Sequence, residues 1–371
     1  MLHWPGGLFA SKSSISYDGF KFFKEVDRRG EQGMVWRIRL PKWSNVTLIV
    51  AILLFFLPSD SFSGGGQHYP NGSTAFLLGV APPPGFYLEE YNYWYTASKL
   101  KDNSGHTLSL EKHGAELDRL SVYGVIPRFV WISKFNFLGG FYGQHLFVPL
   151  LKVDMNLDVL TPGGPIDQND HRTGVGDLIY SPLIWTWHAE NGLFHMIGAL
   201  DIYFPTGSYH KDHLVNIGKN FWTFEPVFAF TGFLPGHTNL SASVKMMYDF
   251  NTKNDDIIIG PSTAAKIGNM SLAGLETHLT PGQEFHFDYT LEYAITKDFR
   301  AGVTGYFYQQ TTNDKTGLGE VKHDKGRVFA IGPGVWYNHK KWFFKLYGAF
   351  ETEAKNRPEG VSALLVITYA F

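Results

Sequence analysis

The sequence predicts an all-β protein: a transmembrane antiparallel β-barrel of about twelve strands after a cleaved N-terminal signal segment. Three observations predict it. Side chains alternate between polar and apolar along many segments. The connections between those segments alternate between long and short. The chain ends on an aromatic residue, Phe371, that completes an apolar row.

Alternation is clearest at 284–293. Glu284, His286, Asp288, Thr290 and Glu292 fall on one face, and Phe285, Phe287, Tyr289, Leu291 and Tyr293 on the other. Successive strand side chains point to opposite faces, so one face is polar and the other apolar. At 240–251, Leu240, Ala242, Val244, Met246, Tyr248 and Phe250 oppose a row containing Lys245 and Asp249. At 342–351, Phe344, Leu346 and Phe350 oppose Lys345 and Glu351. A soluble sandwich alternates in the same way, so loop lengths have to separate the two architectures.

The predicted strands run near 85–97, 117–132, 140–155, 175–188, 193–206, 220–232, 239–251, 284–296, 299–311, 326–338, 342–352 and 362–371. Long connections at 98–116, 156–174, 207–219, 252–283 and 312–325 alternate with short ones near 133–139, 189–192, 233–238, 297–298 and 339–341. The last, 353–361, falls in a long slot. Bacterial barrels combine an even strand number with short periplasmic turns and long outer loops. This order places both ends of the barrel at the periplasmic side. A sandwich has no reason to sort its loops so.

Composition agrees and excludes alternatives. Charged residues are only 18% and aromatics 16%, while mean hydropathy is −0.13. Abundant aromatic mass at modest hydropathy suits a wall in which alternate residues meet lipid. Net charge is −2, so nothing indicates a nucleic-acid partner. The absence of cysteine removes disulfides, thiolate metal sites and cysteine nucleophiles.

Residues 46–57 form the one continuous, mostly apolar run. It is too short for a membrane-spanning helix, which needs about 20 residues. Arg37, Arg39 and Lys42 precede it, and Pro58 and a small-residue stretch follow. These features read as a signal peptide over 34–63, cleaved after Ser63. Residues 1–33 are an extension that signal peptides rarely carry, so Met34 is the expected start. A linker, 64–84, then leads to the barrel, 85–371.

The final strand sets Ala363, Leu365, Ile367, Tyr369 and Phe371 on one outward face. In lipid every strand amide needs a partner, so this strand must pair with the first. Ile367, Tyr369 and Phe371 resemble the sorting signal of outer-membrane barrels. That resemblance implies the barrel-assembly machinery as a partner, beside outer-membrane lipid and lipopolysaccharide.

Lumen-lining candidates are the polar residues of the inward rows: Glu225, Lys245, Asp249, Glu284, His286, Asp288, Glu292, Lys345 and Glu351. Both signs occur. The same residues would serve a polar track for solutes or a network of ion pairs that fills the lumen. No cofactor and no metal set is evident. His210 and His213 lie three apart beside Asp212, without a third convergent ligand. Ser241 and Ser243 face inward, but no hydrolase elbow, zinc-protease helix or phosphate loop is present.

Several blocks occur in order: 174–178 (GVGDL), 201–207 (DIYFPTG), 216–226 (NIGKNFWTFEP), 282–286 (GQEFH), 308–312 (YQQTT) and 356–360 (NRPEG). The set resembles the meta-pathway phenol-degradation family and covers most of 115–371. The resemblance implies an outer-membrane barrel that passes small hydrophobic or aromatic compounds and is not an enzyme. The loop at 252–283 is longer than the family pattern. It reads as a packed surface loop or as an inward lid. A filled barrel with a structural or adhesive role and an outer-membrane lipid hydrolase are the competing functions. The oligomeric state is not legible.

Overall fold

The computed structural model describes residues 67–371, apart from 162 and 163, and the backbone of residues 14–17 and 20–23. Ser14–Tyr17 and Phe20–Phe23 pair antiparallel. The signal segment 34–63 and the rest of the extension lie outside the described residues.

The barrel strands are β1 (Gly85–Leu100), β2 (Ala115–Phe137), β3 (Gly140–Phe147), β4 (Leu150–Thr161), β5 (Gly164–Val175), β6 (Leu178–His188), β7 (Phe194–Phe204), β8 (Thr223–Leu234), β9 (His237–Asn251), β10 (Glu284–Ala294), β11 (Phe299–Gln310), β12 (Arg327–His339), β13 (Trp342–Lys355) and β14 (Pro358–Ala370). Each wall strand pairs antiparallel with its sequence neighbour. β14 returns to β1, from Ala370 opposite Tyr87 to Pro358 opposite Leu100. The wall is therefore a closed barrel of twelve strands, β1 to β3 and β6 to β14, with no free edge.

β4 continues β3 and β5 leads into β6, so the second outer connection is a long hairpin that extends the wall. The sequence reading places a loop at 156–174. The residues are strongly polar, but they pair with β4 beyond the lipid, where no apolar face is required. The expected single strand at 140–155 is also broken. Pro149 has no N–H to give the ladder, and Val148 bonds back to the Pro127 carbonyl at 3.0 Å. The last outer connection is shorter than its slot predicts, because β13 runs on to Lys355 and β14 starts at Pro358.

Burial follows the alternation. On β14, Ser362, Leu364, Val366 and Thr368 are buried, while Ala363, Leu365, Ile367 and Tyr369 face outward. Large exposed apolar residues make a belt around the wall, among them Trp94, Phe129, Leu183, Phe228, Leu291, Val303, Leu346 and Phe350. Exposed aromatics mark both rims: Phe86, Trp131 and Trp342 at the end that holds the short turns, Trp222 and Phe250 at the other. A lipid-facing band with aromatic girdles is the outer surface of a membrane barrel. No helix among the described residues is long and apolar enough to cross a membrane.

Over the outer rim, 252–283 packs with 311–326. Asn254–Ile258, Glu276–Thr280, Lys315–Thr316 and Gly319–Glu320 form a small sheet beside a helix, Pro261–Ile267. Ile259, Ala264 and Val321 are buried within this cap, which explains the apolar residues of the long loop. Lys266 pairs with Asp324. Asp314 Oδ1 accepts from the Gly282 N–H and the Gln310 amide, each at 2.7 Å. Burial pushes the Asp314 carboxyl up to about 7, and nearby Asp324 adds to the push.

The raised value gives the cap a pH dependence of known sign. Asp314 is protonated in the fold where an unfolded aspartate is charged. Its contribution is complete below the ordinary aspartate range and is lost as pH rises through about 7. Limited proteolysis within 252–283, normalised to an unfolded peptide of the same sequence, is expected to be faster at about pH 8 than at about pH 5. Asp314→Asn is expected to flatten that difference. A cap equally protected at both pH values contradicts the assignment.

Candidate functional site

The lumen holds a strap, residues 67–84, that runs from the outer rim towards the start of β1 and binds the inward face of the wall. Its sequence has no periodicity and is rich in Pro and Gly, so its own backbone cannot satisfy itself. The wall does this instead. Asp288 Oδ2 accepts from the Tyr69 hydroxyl at 2.5 Å and from Thr74 Oγ1 at 2.7 Å, and its Oδ1 accepts from the Gly72 N–H at 2.9 Å. The Phe76 N–H donates to Thr290, the Leu77 N–H to Glu292 and the Gly79 N–H to Thr231. At the outer end, His68 bridges Thr223 and Asp177.

The strap also reaches across the lumen. Ala75 and Phe76 pack against Tyr91 of β1, Ile126 of β2, Tyr347 of β13 and Leu364 and Val366 of β14. Phe76 and Leu77 take φ of 60° and 54°, a left-handed region that costs energy for residues with a side chain. The anchors on both sides hold this conformation.

Beside the strap lies a cavity of about 510 Å³. Its wall runs from β12 through β14 and β1 to β9 with a mostly apolar lining, including Ile126, Val130, Ile184, Ile197, Val227 and Ala229. The bulges between β2 and β3, β3 and β6, and β6 and β7 lie on the same wall. A line of charge crosses it. Arg128 Nη1 donates to Glu89 at 2.7 Å and Arg128 Nη2 lies 2.8 Å from His145 Nδ1. His145 Nε2 lies 3.0 Å from Asp201 Oδ1. Glu89 and Arg128 form an ion pair, and His145 and Asp201 stand at ion-pair distance from each other.

The sequence candidates divide between these two environments. Lys245 and Lys345 line the cavity, and Lys245 Nζ sits 4.5 Å over the Tyr69 ring. Asp288 and Glu292 are buried under the strap. Glu351 accepts from the Tyr95 and Tyr306 hydroxyls and the Gly360 N–H, and is packed away from the cavity. Glu225, Asp249, Glu284 and His286 are fully buried together at the outer ends of β8, β9 and β10. Ser241 faces Arg300 at 3.3 Å, and Ser243 faces Thr231 at 2.9 Å. Neither hydroxyl meets a histidine base.

Sequence reasoning missed the apolar lining and the Glu89–Arg128–His145–Asp201 line. Those four charges lie on four different strands, and only the pairing of the wall brings them together. An inward Ile in a strand that is apolar on both faces gives no periodic signal.

The family model described as "Putative MetA-pathway of phenol degradation" matches residues 97–365, well over half of the chain. The chain belongs to this family. Among curated protein sequences none matches. Among solved structures, the fold is similar to the COG4313 outer membrane channel from Pseudomonas putida F1. The TM-score is 0.60 at 13% identity, over 80% of this chain and 100% of that one. It is also similar to the transport unit of the autotransporter AIDA-I from Escherichia coli. Here the TM-score is 0.50 at 10% identity, over 81% and 95%. At these identities the likeness is one of fold. With the closed wall and the lipid-facing belt, it makes this family member a bacterial outer-membrane β-barrel.

Proposed function

We propose that the protein is a passive channel that admits small hydrophobic or aromatic compounds across the outer membrane. The observation that carries this reading is the apolar cavity beside the strap. At about 510 Å³ it is the size of a small-molecule site. It well exceeds the roughly 150 Å³ that holds a benzene ring in an apolar protein cavity. Lys245, Lys345 and Arg128 at its margin would orient a polar substituent such as a hydroxyl, and no cofactor is required. The COG4313 protein, whose whole length aligns, is itself an outer membrane channel, which supports the reading. The inward serines are bonded to Arg300 and Thr231, which speaks for a conduit over a hydrolase.

The lipid belt and the outer loops would meet membrane lipid and lipopolysaccharide. Ile367, Tyr369 and Phe371 would present the outward row read by the barrel-assembly machinery. The acidic candidates, Glu351 among them, act in this reading on the strap or on the wall rather than directly on the solute.

The competing reading is a filled barrel with a structural role, and the many strap anchors favour it. Initial uptake of a radiolabelled monoaromatic compound by intact cells separates the two. Cells are needed because a phospholipid bilayer is itself permeable to apolar solutes, whereas a lipopolysaccharide leaflet resists them. Faster uptake with the protein than without supports the channel. Equal uptake by cells with and without the protein defeats it.

A further inference from the structure

Glu225 of β8, Asp249 of β9 and Glu284 and His286 of β10 meet on adjacent strands just below the outer rim. Asp249 lies directly opposite Glu284 in the ladder. All four are fully buried. Three carboxylates in such a place need compensating charge or protons. Among the described residues no Lys or Arg forms an ion pair with any of them. The His286 ring is the cation at ion-pair distance, and buried Lys219 acts on Glu284 from further away.

The contacts themselves are unusual. His286 Nε2 stands 3.3 Å from Asp249 Oδ1 and 3.6 Å from Glu225 Oε2. Both exceed the 2.9–3.0 Å at which an N–H···O bond is most often found. Neither nitrogen of His286 has a hydrogen-bond partner. The same holds for both oxygens of Asp249, both of Glu284 and Oε1 of Glu225. Glu225 Oε2 alone is bonded, accepting from the Tyr203 hydroxyl at 3.1 Å. So many bare donor and acceptor atoms in one cluster are rare in a protein interior.

One atom each from Glu225, Asp249 and His286 lies within 4.8 Å of the others. Zinc bonds to imidazole nitrogen and carboxylate oxygen at about 2.0–2.2 Å, so neighbouring ligands of a tetrahedral zinc stand roughly 3.3–3.6 Å apart. The two His286 separations match that spacing. We propose that Glu225, Asp249 and His286 bind a zinc-like divalent transition-metal ion inside the wall, with Glu284 beside the site, opposite Asp249 in the ladder. The imidazole favours such an ion over calcium or magnesium, which prefer all-oxygen sites. The ion would tie β8, β9 and β10 together beneath Tyr69, whose ring lies 5.1 Å from that of His286. This site is independent of what the cavity carries.

The test is metal content and affinity. Untagged full-length protein is refolded with zinc chloride, passed through metal-free buffer and assayed by inductively coupled plasma mass spectrometry. Retention of one zinc per chain is expected. Refolding with cobalt chloride is expected to give the visible absorption of tetrahedral Co(II). His286→Gln and Asp249→Asn should each lower affinity by roughly 100-fold or more. His210→Ala combined with His213→Ala, which removes the exposed histidine pair, should change nothing. Heat-modifiable migration reports folding of each variant. Wild-type protein that folds without retaining either metal overturns the proposal, whatever the variants do. So does metal held equally by folded His286→Gln, or lost on removal of His210 and His213.

Discussion

Replacing Asp288 with alanine is expected to raise the ion conductance of the reconstituted barrel several-fold. Asp288 is the principal anchor of the strap, accepting from Tyr69, Gly72 and Thr74. Hydrogen bonds to a charged group contribute about 1.5–3 kcal/mol each, and they do not add simply. Removing one partner of a buried charged network costs about 3–5 kcal/mol. Even 3 kcal/mol shifts the ratio of docked to released strap by roughly 100-fold. Lys245, directly opposite Asp288 in the ladder, donates to the same Tyr69 hydroxyl at 3.4 Å, and that contact goes with the strap. The wall itself keeps its ladder, so the variant should still migrate as a folded barrel. Glu292→Ala, which frees the Leu77 N–H, should have a smaller effect in the same direction. Planar-bilayer recordings of the three proteins check this order. Conductance unchanged in Asp288→Ala would mean that the strap does not limit the lumen.

Filling the cavity should act in the opposite sense. Ala199 and Ala229 both line it, on adjacent strands β7 and β8. Tryptophan at both positions places two large rings into a space of about 510 Å³. Uptake of a monoaromatic solute is expected to fall by at least about tenfold, towards the level of cells without the protein. The cavity gives the added rings room, so the overpacking cost should stay near 1–3 kcal/mol and the barrel should fold. Heat-modifiable migration verifies that. Combining the change with Asp288→Ala distinguishes two routes. If the apolar cavity carries the solute, conductance stays raised while aromatic uptake stays low. Uptake restored by Asp288→Ala would place the route through the strap's own channel instead.

Much of the fold was legible because a barrel strand must alternate. The 284–293 segment carries its register on its face: Asp288 and Glu292 inward, Phe287 and Leu291 outward. The closing pair of β1 and β14 followed from the need of every lipid-buried amide for a partner. What failed to read lies where lipid imposes no pattern. Residues 164–175 are strand because β4 pairs with them above the membrane, and polar side chains such as Asp167 to Arg172 gave them the look of a loop. Residues 67–84 have neither period nor charge pattern, so the wall residues that hold them were visible and the strap was not.

The site was legible only in part, for a related reason. A sequence shows which residues face inward on each strand but not which of them meet. Glu225, Asp249, Glu284 and His286 were read as separate lumen positions, and the ladder gathers them into one buried cluster. Lys245 and Lys345 reach the cavity, while Asp288 serves the strap. The apolar lining from β2 to β8 escaped notice because an inward Ile126 or Ile184 resembles its lipid-facing neighbours.

Initial uptake of radiolabelled phenol or toluene by intact cells is the most direct test of the central claim. The comparison is between cells lacking the protein, cells with the wild type and cells with the doubly substituted Ala199→Trp, Ala229→Trp barrel at equal surface abundance. The account predicts that the wild type takes up the solute several-fold faster than cells without the protein and that the filled variant falls back to their level. Equal uptake in all three would contradict it and leave a closed, structural barrel.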